Sequence, residues 1–252
     1  MLDCLVVAPH PDDAELGMGG AIVKFLAEGL AVGVLDLTDG EPTPHGSPQI
    51  RRRETAEATK ILGLPWRENL GLPNRTLEPT LAARAALAAV FRRVRPRWIF
   101  APYWIDAHPD HVAATQLIEA ARFWSKLTKS DMPGEPFYPE RIFCYYCVHR
   151  RLLPQPAFVL DIGDFWEKKR TALECYRSQF LGDCPNFRLN ENGTVPLDAG
   201  TAHSGPEVKA APTIIDRLRD QAAFWGSLIG VRYAEPFASR EPVGLATMKG
   251  IV

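Results

Sequence analysis

Histidine and aspartate residues cluster at two places in this 252-residue chain, and each cluster follows an apolar run. The first cluster, HPDD, spans residues 10–13, and the second, HPDH, spans residues 108–111. The two runs, residues 5–8 and 98–101, have four residues each. Short apolar runs followed by polar and turn-forming residues are typical of buried strands. Imidazole nitrogens and carboxylate oxygens are the ligands that catalytic zinc ions use in proteins. The two clusters therefore predict a metal centre, at which we expect hydrolytic chemistry.

Spacing within the clusters suits a zinc ion that keeps positions open for water and substrate. His10 and Asp13, three residues apart, can point to one side of a turn or a first helical turn. With one imidazole of the second cluster they make the three-ligand set that hydrolysis requires. Asp12 is adjacent and could take a proton from water as a general base. The remaining histidine could stabilise an oxyanion and protonate a leaving amine, oriented by Asp110 or Asp106.

Either cluster alone could be merely structural. Asp13 at a helix start could simply cap backbone N–H groups. Only the occurrence of both clusters, after the first and fourth predicted strands, favours a metal. His45, His149 and His203 have no such neighbours in sequence, and we interpret them as surface or loop histidines.

The first half of the chain alternates strand-like and helix-like segments. We predict strands at 2–8, 31–37, 66–70 and 97–101, and helices at 15–28, 49–62, 81–94 and 110–127. This alternation indicates right-handed βαβ units and a mainly parallel sheet. In the common strand order 3-2-1-4-5, strands 1 and 4 are neighbours, and a crevice opens at their carboxyl ends. Topology therefore predicts that the two clusters meet.

The second half is less regular. We predict strands at 141–148 and 157–160, helices at 164–179 and 208–229, and a long irregular loop at about 182–206 that is rich in Gly, Asn and Pro. Loops of this length are uncommon unless they cover a site, bind a ligand or are disordered. No repeat or linker divides the chain, so we predict one domain over residues 1–252.

Composition limits the partners and the compartment. The formal net charge is −1, which predicts no binding to nucleic acid or to an anionic membrane surface. No apolar run approaches the ~20 residues needed to span a bilayer. The first residues do not resemble a signal peptide, and the five cysteines have no disulfide-like spacing. We therefore expect a cytoplasmic protein.

HPDD after the first strand and HPDH after the fourth resemble the LmbE-like or PIG-L family of zinc-dependent N-acetylglucosamine deacetylases. Shorter motifs extend this resemblance over nearly the whole chain: DLTDGE at 36–41, RxxE at 51–54, NLGLPNR at 69–75, APY at 101–103, YxSQF at 176–180 and GVxYAExF at 230–237. They look most like the bacillithiol-biosynthesis branch, which removes acetyl from N-acetylglucosaminyl-malate. One departure is Asn74, where the family pattern has Asp.

The resemblance implies a Rossmann-like, three-layer α/β fold and a set of residue roles. It assigns the zinc ligands to His10, Asp13 and His111, the general base to Asp12, and transition-state stabilisation and acid catalysis to His108, partnered by Asp110. Zn²⁺ is the implied metal, with Fe²⁺ or another divalent ion as the alternative in vivo. Homo-oligomers, including hexamers, are implied as well, with a small amino-sugar conjugate as substrate.

Three residues are candidate substrate contacts. Arg51 matches a family arginine that helps to bind substrate, and arginine binds carboxylates such as those of malate in a bidentate manner. The alternative is a solvated helix surface on which Arg51 pairs with Glu54. Glu41 could bind sugar hydroxyls or simply belong to a turn. Tyr103 could flank a sugar ring or be packing.

Other functions have weaker support in the sequence. A dinucleotide-binding oxidoreductase would use Asp36 at the end of the second strand, but Ile22 stands where the third glycine of that motif belongs. A non-catalytic sugar-binding protein would not need Asp12. Other deacetylases, acting on mycothiol-type, chitobiose-type or antibiotic sugars, remain open. The CxxC at 144–147 lies in a predicted strand, where residues i and i+3 face opposite sides of the sheet. We therefore do not expect its two cysteines to share a metal.

Overall fold

A seven-stranded sheet with strand order β3-β2-β1-β4-β5-β7-β6 organises the computed structural model, which describes residues 1–149, 154–180 and 212–244. The strands are β1 (Cys4–Ala8), β2 (Val32–Asp36), β3 (Trp66–Asn69), β4 (Trp98–Pro102), β5 (Arg141–Tyr145), β6 (Phe158–Asp161) and β7 (Ala234–Ala238). The helices are α1 (Asp13–Ala27), α2 (Pro48–Leu62), α3 (Leu81–Val94), α4 (Pro109–Ser125), α5 (Trp166–Leu173), α6 (Arg177–Phe180) and α7 (Ile214–Leu228).

Strands β1 to β5 are parallel, and only β7 runs antiparallel to its two neighbours, β5 and β6. The register pairs Val6 of β1 with Val34 of β2 on one side and with Phe100 of β4 on the other. The predicted α/β class, the mainly parallel sheet and the order 3-2-1-4-5 are therefore confirmed. The carboxyl ends of β1 and β4, which precede the two clusters, lie next to each other.

Helices cover both faces of the sheet, which gives the expected three layers. Val6 points into a core shared with α1, α2 and α5. Its neighbours Leu5 and Val7 point into a second core formed with α3 and α4. Side chains alternate across a strand, so a strand covered on both faces must be apolar at every position. The continuous CLVVA sequence of β1 follows from this, and all five of its residues are buried.

Local signals place most helix ends within two residues of their predicted positions. Ser47 and Thr80 accept backbone hydrogen bonds as N-caps of α2 and α3. Gly63 ends α2 in the left-handed conformation, with φ of 78°. The helix predicted at 81–94 matches α3 at both ends.

In the second half one prediction is wrong and one strand was not predicted. The helix predicted at 164–179 is a 3₁₀ turn (Gly163–Phe165) followed by α5 and the short α6. The sequence pattern does not predict strand β7, because Pro236 lies within it and proline in a run argues against a central strand. Nevertheless β7 is buried along its whole length and connects β5 to β6. The predicted loop at 182–206 lies outside the described residues.

None of the helices in the described part of the chain is both long and apolar enough to cross a membrane.

Candidate metal centre

The parallel pairing of β1 with β4 brings the two clusters together, although nearly a hundred residues separate them in sequence. The ring centroids of His10 and His111 are 5.3 Å apart, and those of His10 and His108 are 4.8 Å apart. His10 lies in the turn between β1 and α1, whereas His108 and His111 lie at the start of α4. The meeting of the clusters thus follows from the strand order.

Three ligand atoms converge at this point. Oδ2 of Asp13 lies 3.1 Å from Nδ1 of His10 and 3.2 Å from Nε2 of His111. All three atoms lie within 4.8 Å of one another, and all three residues are buried. Two atoms that bind one zinc at its usual bond lengths and tetrahedral angle are about 3.3 Å apart. The spacing of these donors suits a shared divalent ion.

The hydrogen-bond partners of the two imidazoles leave lone pairs facing the carboxylate. Nδ1 of His111 contacts Oδ2 of Asp106 at 3.2 Å, so this nitrogen carries the hydrogen. Nε2 of His111 is buried and has no hydrogen-bond partner among the described residues. Nε2 of His10 lies 3.3 Å from Oδ2 of Asp110, which leaves Nδ1 of His10 turned towards Asp13. Three acceptors that face one another are suited to a cation between them, so these residues fit a metal.

Electrostatics at the site favour positive charge. Burial opposes a charged imidazole, yet Asp13 raises the pKa of His111 well above its ordinary value. Burial likewise opposes ionisation of Asp13, but His111 and His10 hold the pKa of Asp13 well below its ordinary value. A field that favours a proton on His111 also favours a divalent cation in the same place.

Asp12 adjoins these donors in an unusual backbone conformation. Its φ is 121°, a value that non-glycine residues rarely adopt. Oδ2 of Asp12 accepts a 2.8 Å hydrogen bond from Nη1 of Arg51. Burial raises the pKa of Asp12 to about 6, although Arg51 opposes that rise. Strained, buried groups with shifted pKa values are characteristic of functional sites.

Arg51 is buried, so the alternative of a solvated helix surface is wrong. Its guanidinium donates to the carbonyl oxygen of Pro11 at 2.7 Å and to Oε1 of Glu41 at 3.3 Å, in addition to Asp12. Glu54 does not pair with Arg51 in a hydrogen bond; it accepts two from Ser178 on α6. The chain's own groups therefore occupy most of the Arg51 guanidinium, which was expected to bind substrate.

The partner expected for His108 is different in the structure. The carboxylate of Asp110 accepts from the backbone N–H groups of Arg75 and Leu77, at 2.7 Å and 3.3 Å, and contacts His10. Among the described residues, the one hydrogen bond to the His108 ring comes from the backbone N–H of Asp110, at 3.2 Å on Nδ1. The carboxylate therefore orients His10 and the 75–77 segment, because α4 begins between residues 108 and 110 and turns that side chain away from His108.

Nε2 of His108 carries the hydrogen, because Nδ1 accepts one from the backbone. Burial, together with the neighbouring His10, lowers the pKa of His108. A neutral imidazole with an Nε2–H group is a hydrogen-bond donor, as the stabilisation of an oxyanion requires.

Glu41 and Tyr103 both have local partners. The Glu41 carboxylate accepts from Thr43 at 2.8 Å and from Arg51, and its side chain is only 2% exposed. Tyr103 packs between Trp104 and Tyr146, with ring centroids 4.2 Å and 4.7 Å away. These contacts fit the turn and packing interpretations, and substrate contacts at these residues stay predictions.

Sequence reasoning missed His149. It is exposed, as a loop histidine should be, but its Nδ1 lies 3.3 Å from Oδ1 of Asp106 and its ring lies 4.8 Å from that of His111. His149 follows β5, the neighbour of β4, and this topological position is the only signal that could have revealed it. His45 is exposed, and His203 lies outside the described residues.

The residues that suggested a dinucleotide site have structural roles in this fold. Asp36 is held by Arg67 in two hydrogen bonds of 2.8 Å and 2.9 Å, so it has no free edge for a ribose. The glycines of α1 permit close packing instead: a Cβ at Gly20 would lie 2.6 Å from Ile162, and one at Gly17 would overlap the ring of Tyr145. These glycines let the sheet side chains approach the helix.

Comparison with known proteins agrees with this geometry. The profile of the PIG-L family, described as GlcNAc-PI de-N-acetylase, matches residues 5–122. Diacetylchitobiose deacetylase from Thermococcus kodakarensis is 31% identical over 194 residues, which cover 71% of this chain and 70% of that protein. The chain belongs to the PIG-L (LmbE-like) family. Both histidine clusters lie inside the matched range.

Other relatives differ in their reactions. A probable N-acetyl-alpha-D-glucosaminyl L-malate deacetylase 2 from Bacillus cereus is 28% identical over 190 residues, covering 69% of this chain and 82% of that protein. A 4-oxalmesaconate hydratase from Pseudomonas putida is 29% identical over 202 residues, covering 69% and 73%. This PIG-L chain therefore resembles both deacetylases and a hydratase.

Among solved structures, the conserved protein TT1542 from Thermus thermophilus is 41% identical, with a TM-score of 0.81 and coverage of 98% of both chains.

Proposed function

We propose that this chain is a metal-dependent N-deacetylase that removes the acetyl group from a small molecule containing N-acetylglucosamine. The convergence of His10, Asp13 and His111 on one buried point, beside the strained Asp12, carries the proposal. We propose Zn²⁺ as the metal, since two imidazoles and one carboxylate make a typical catalytic zinc set; Fe²⁺ is the alternative.

Each residue near the centre has a role that its contacts support. A divalent ion held by the three ligands would act as a Lewis acid towards the acetyl oxygen and the attacking water. Asp12 accepts the proton of that water, and Arg51 holds its carboxylate in place. The Nε2–H group of His108 stabilises the developing oxyanion. The proton that Asp12 takes from the water goes on to the leaving amine, because a neutral His108 that gave up its only ring N–H would be left as an imidazolate. Asp106 and Asp110 fix the orientations of His111 and His10.

For the substrate we propose N-acetylglucosaminyl-malate, as in bacillithiol biosynthesis. The motif resemblance and the malate deacetylase relatives support it. The higher identity to a diacetylchitobiose deacetylase makes chitobiose-type substrates the nearest alternative. A hydratase function has the support of one relative, and a metal centre with a nearby base would also suit water addition to a carbon–carbon double bond. A cytoplasmic location and a homo-oligomeric state stay predictions.

The test is an assay of free-amine release from N-acetylglucosaminyl-malate, N-acetylglucosamine and diacetylchitobiose. We expect turnover that a chelator abolishes and added Zn²⁺ restores, with the malate conjugate preferred. Asp12→Asn keeps the size of the side chain and should lower turnover by two or more orders of magnitude. If none of the three substrates releases amine and the protein hydrates 4-oxalmesaconate instead, the deacetylase proposal is wrong and a hydratase function takes its place.

A further inference from the structure

Helix α1 is broken one turn after the candidate ligand Asp13. Met18 has φ of −150° and ψ of 27°, well outside the helical range. In an unbroken helix the N–H group of Gly20 would donate to the carbonyl oxygen of Leu16. Here both groups bind side chains from other elements. Breaks of this kind arise where a side chain enters the helical hydrogen-bond ladder.

Lys169 of α5 and Glu235 of β7 occupy the break. Nζ of Lys169 donates to the carbonyl oxygen of Leu16 at 2.9 Å and to Oε1 of Glu235 at 2.6 Å. The carboxylate of Glu235 accepts from the N–H groups of Gly20 at 3.1 Å and Ala21 at 2.7 Å. One cation therefore caps the end of the first part of α1, and one anion caps the start of the second part.

Stability alone does not account for this arrangement. Lys169 is 3% exposed and Glu235 is 2% exposed. A buried ion pair can often be replaced by apolar residues with no loss of stability, because desolvation offsets the Coulomb attraction. What an apolar pair could not supply is partners for the backbone groups on both sides of the break. The ion pair thus supplies the hydrogen-bond partners that the break in α1 leaves to its backbone groups.

We propose that Lys169 and Glu235 are positioning residues for the metal centre, an inference that rests on the proposed function. The first turn of α1 contains Asp13, whose carboxylate must reach both His10 and His111. Without the ion pair, the Leu16 carbonyl would recover its helical partner and α1 would straighten. The first turn would then rotate relative to the strand ends, and Asp13 would move away from the two imidazoles.

Two double variants separate positioning from packing. Lys169→Met/Glu235→Met removes both charges and both caps, so no buried charge is left without a counter-ion. Lys169→Met/Glu235→Gln is also neutral but keeps an amide oxygen for the helix N–H groups. Arg122→Met is the control, because the buried Arg122 binds Pro139, Glu140 and Glu241, none of which belongs to α1.

Zinc affinity of the full chain is measured by competition with a chromophoric chelator at a temperature at which circular dichroism shows each variant to be folded. We expect the Met/Met variant to bind zinc at least tenfold more weakly than wild type, as outer-shell changes typically do. The Met/Gln variant should recover at least threefold of that loss. Arg122→Met should lower the melting temperature and leave zinc affinity within twofold.

Zinc affinity within twofold of wild type in the folded Met/Met variant would overturn the positioning role. If the Met/Met variant does not fold, the Met/Gln variant is used instead. The positioning role then predicts that this variant binds zinc at least threefold more weakly than wild type, and a smaller loss would overturn it. If the wild-type chain binds zinc and releases amine, and both variants do so equally well, only the positioning inference is refuted. A wild-type chain that binds no zinc refutes the proposed function as well.

Discussion

Asp12 combines a strained backbone conformation with the proposed role of general base. Its backbone adopts φ of 121°, and its carboxylate is fixed on Arg51. A conformation of this kind costs about 1–3 kcal/mol and persists only where surrounding contacts enforce it. The sequence predicted Asp12 as the general base from its place beside the ligands, but the strain has no signature in sequence because it depends on tertiary contacts.

Replacement of Asp12 by glycine and by alanine tests this strain. Both variants lose the carboxylate, and they differ only in the Cβ atom. We expect Asp12→Gly to be more stable than Asp12→Ala by about 1 kcal/mol, although glycine has the more flexible unfolded state. Urea unfolding measures the difference. Equal stability, or a more stable alanine variant, would mean that the conformation is relaxed.

Substitution of Arg51 tests whether this residue binds substrate or holds the general base Asp12 in place. Lysine keeps the charge but cannot bind Asp12, Glu41 and Pro11 together. We expect Arg51→Lys to lower kcat about 10- to 100-fold with little change in KM, since the misplaced group is Asp12. The exposed neighbour gives a matched control, Arg52→Lys, which should change neither constant. A raised KM with normal kcat would instead place Arg51 on the substrate.

At the scale of elements, sequence patterns predicted the first half well and the second half poorly. Strands with continuous apolar runs and helices with Ser, Thr or Gly at their ends have strong local signals, as in α3. Strand β7 has Pro236 in its interior and depends on pairing with β5 and β6. The break in α1 depends on Lys169 and Glu235, which are remote in sequence. Such features arise from tertiary contacts and cannot be derived from local pattern.

The glycines of α1 provide the test at this scale. A Cβ at Gly17 would overlap the ring of the fully buried Tyr145, whereas one at Gly19 would meet only the flexible chain of Lys169, at 3.0 Å. We expect Gly17→Ala to lose about 1–3 kcal/mol and Gly19→Ala to lose less, because alanine favours a helix. Urea unfolding curves measure both losses. Equal stability of the two variants would contradict the packing role of Gly17.

At the scale of the whole molecule, the order of the strands brings the two histidine clusters together. The prediction that strands 1 and 4 are neighbours placed His10 near His111 without any direct sequence signal between them, and the ring distance of 5.3 Å agrees. The same reasoning, applied to the strand after β4, would have found His149. It was not applied there because His149, unlike His10 and His111, has no histidine or aspartate close to it in sequence.

Metal binding should also be visible in global stability. An ion that binds only the folded state at 100 times its Kd stabilises that state by about 2.7 kcal/mol. For a chain of this size the melting temperature should rise by roughly 5–10 °C when Zn²⁺ is added to metal-free protein. Asp13→Asn should lose most of this rise. An equal rise in that variant would place the ion elsewhere.

The metal content of the purified protein tests the proposed centre most directly. Elemental analysis after dialysis against buffer with limiting zinc should find one Zn²⁺ per wild-type chain and less than about a tenth of that in His111→Ala, whose buried Nε2 would otherwise complete the ligand set. His149→Ala should retain the ion, since His149 is not one of the three proposed ligands and, among the described residues, its imidazole contacts Asp106 and the neighbouring histidine rings. A full equivalent of zinc in His111→Ala, or none in wild type, would contradict the proposed centre.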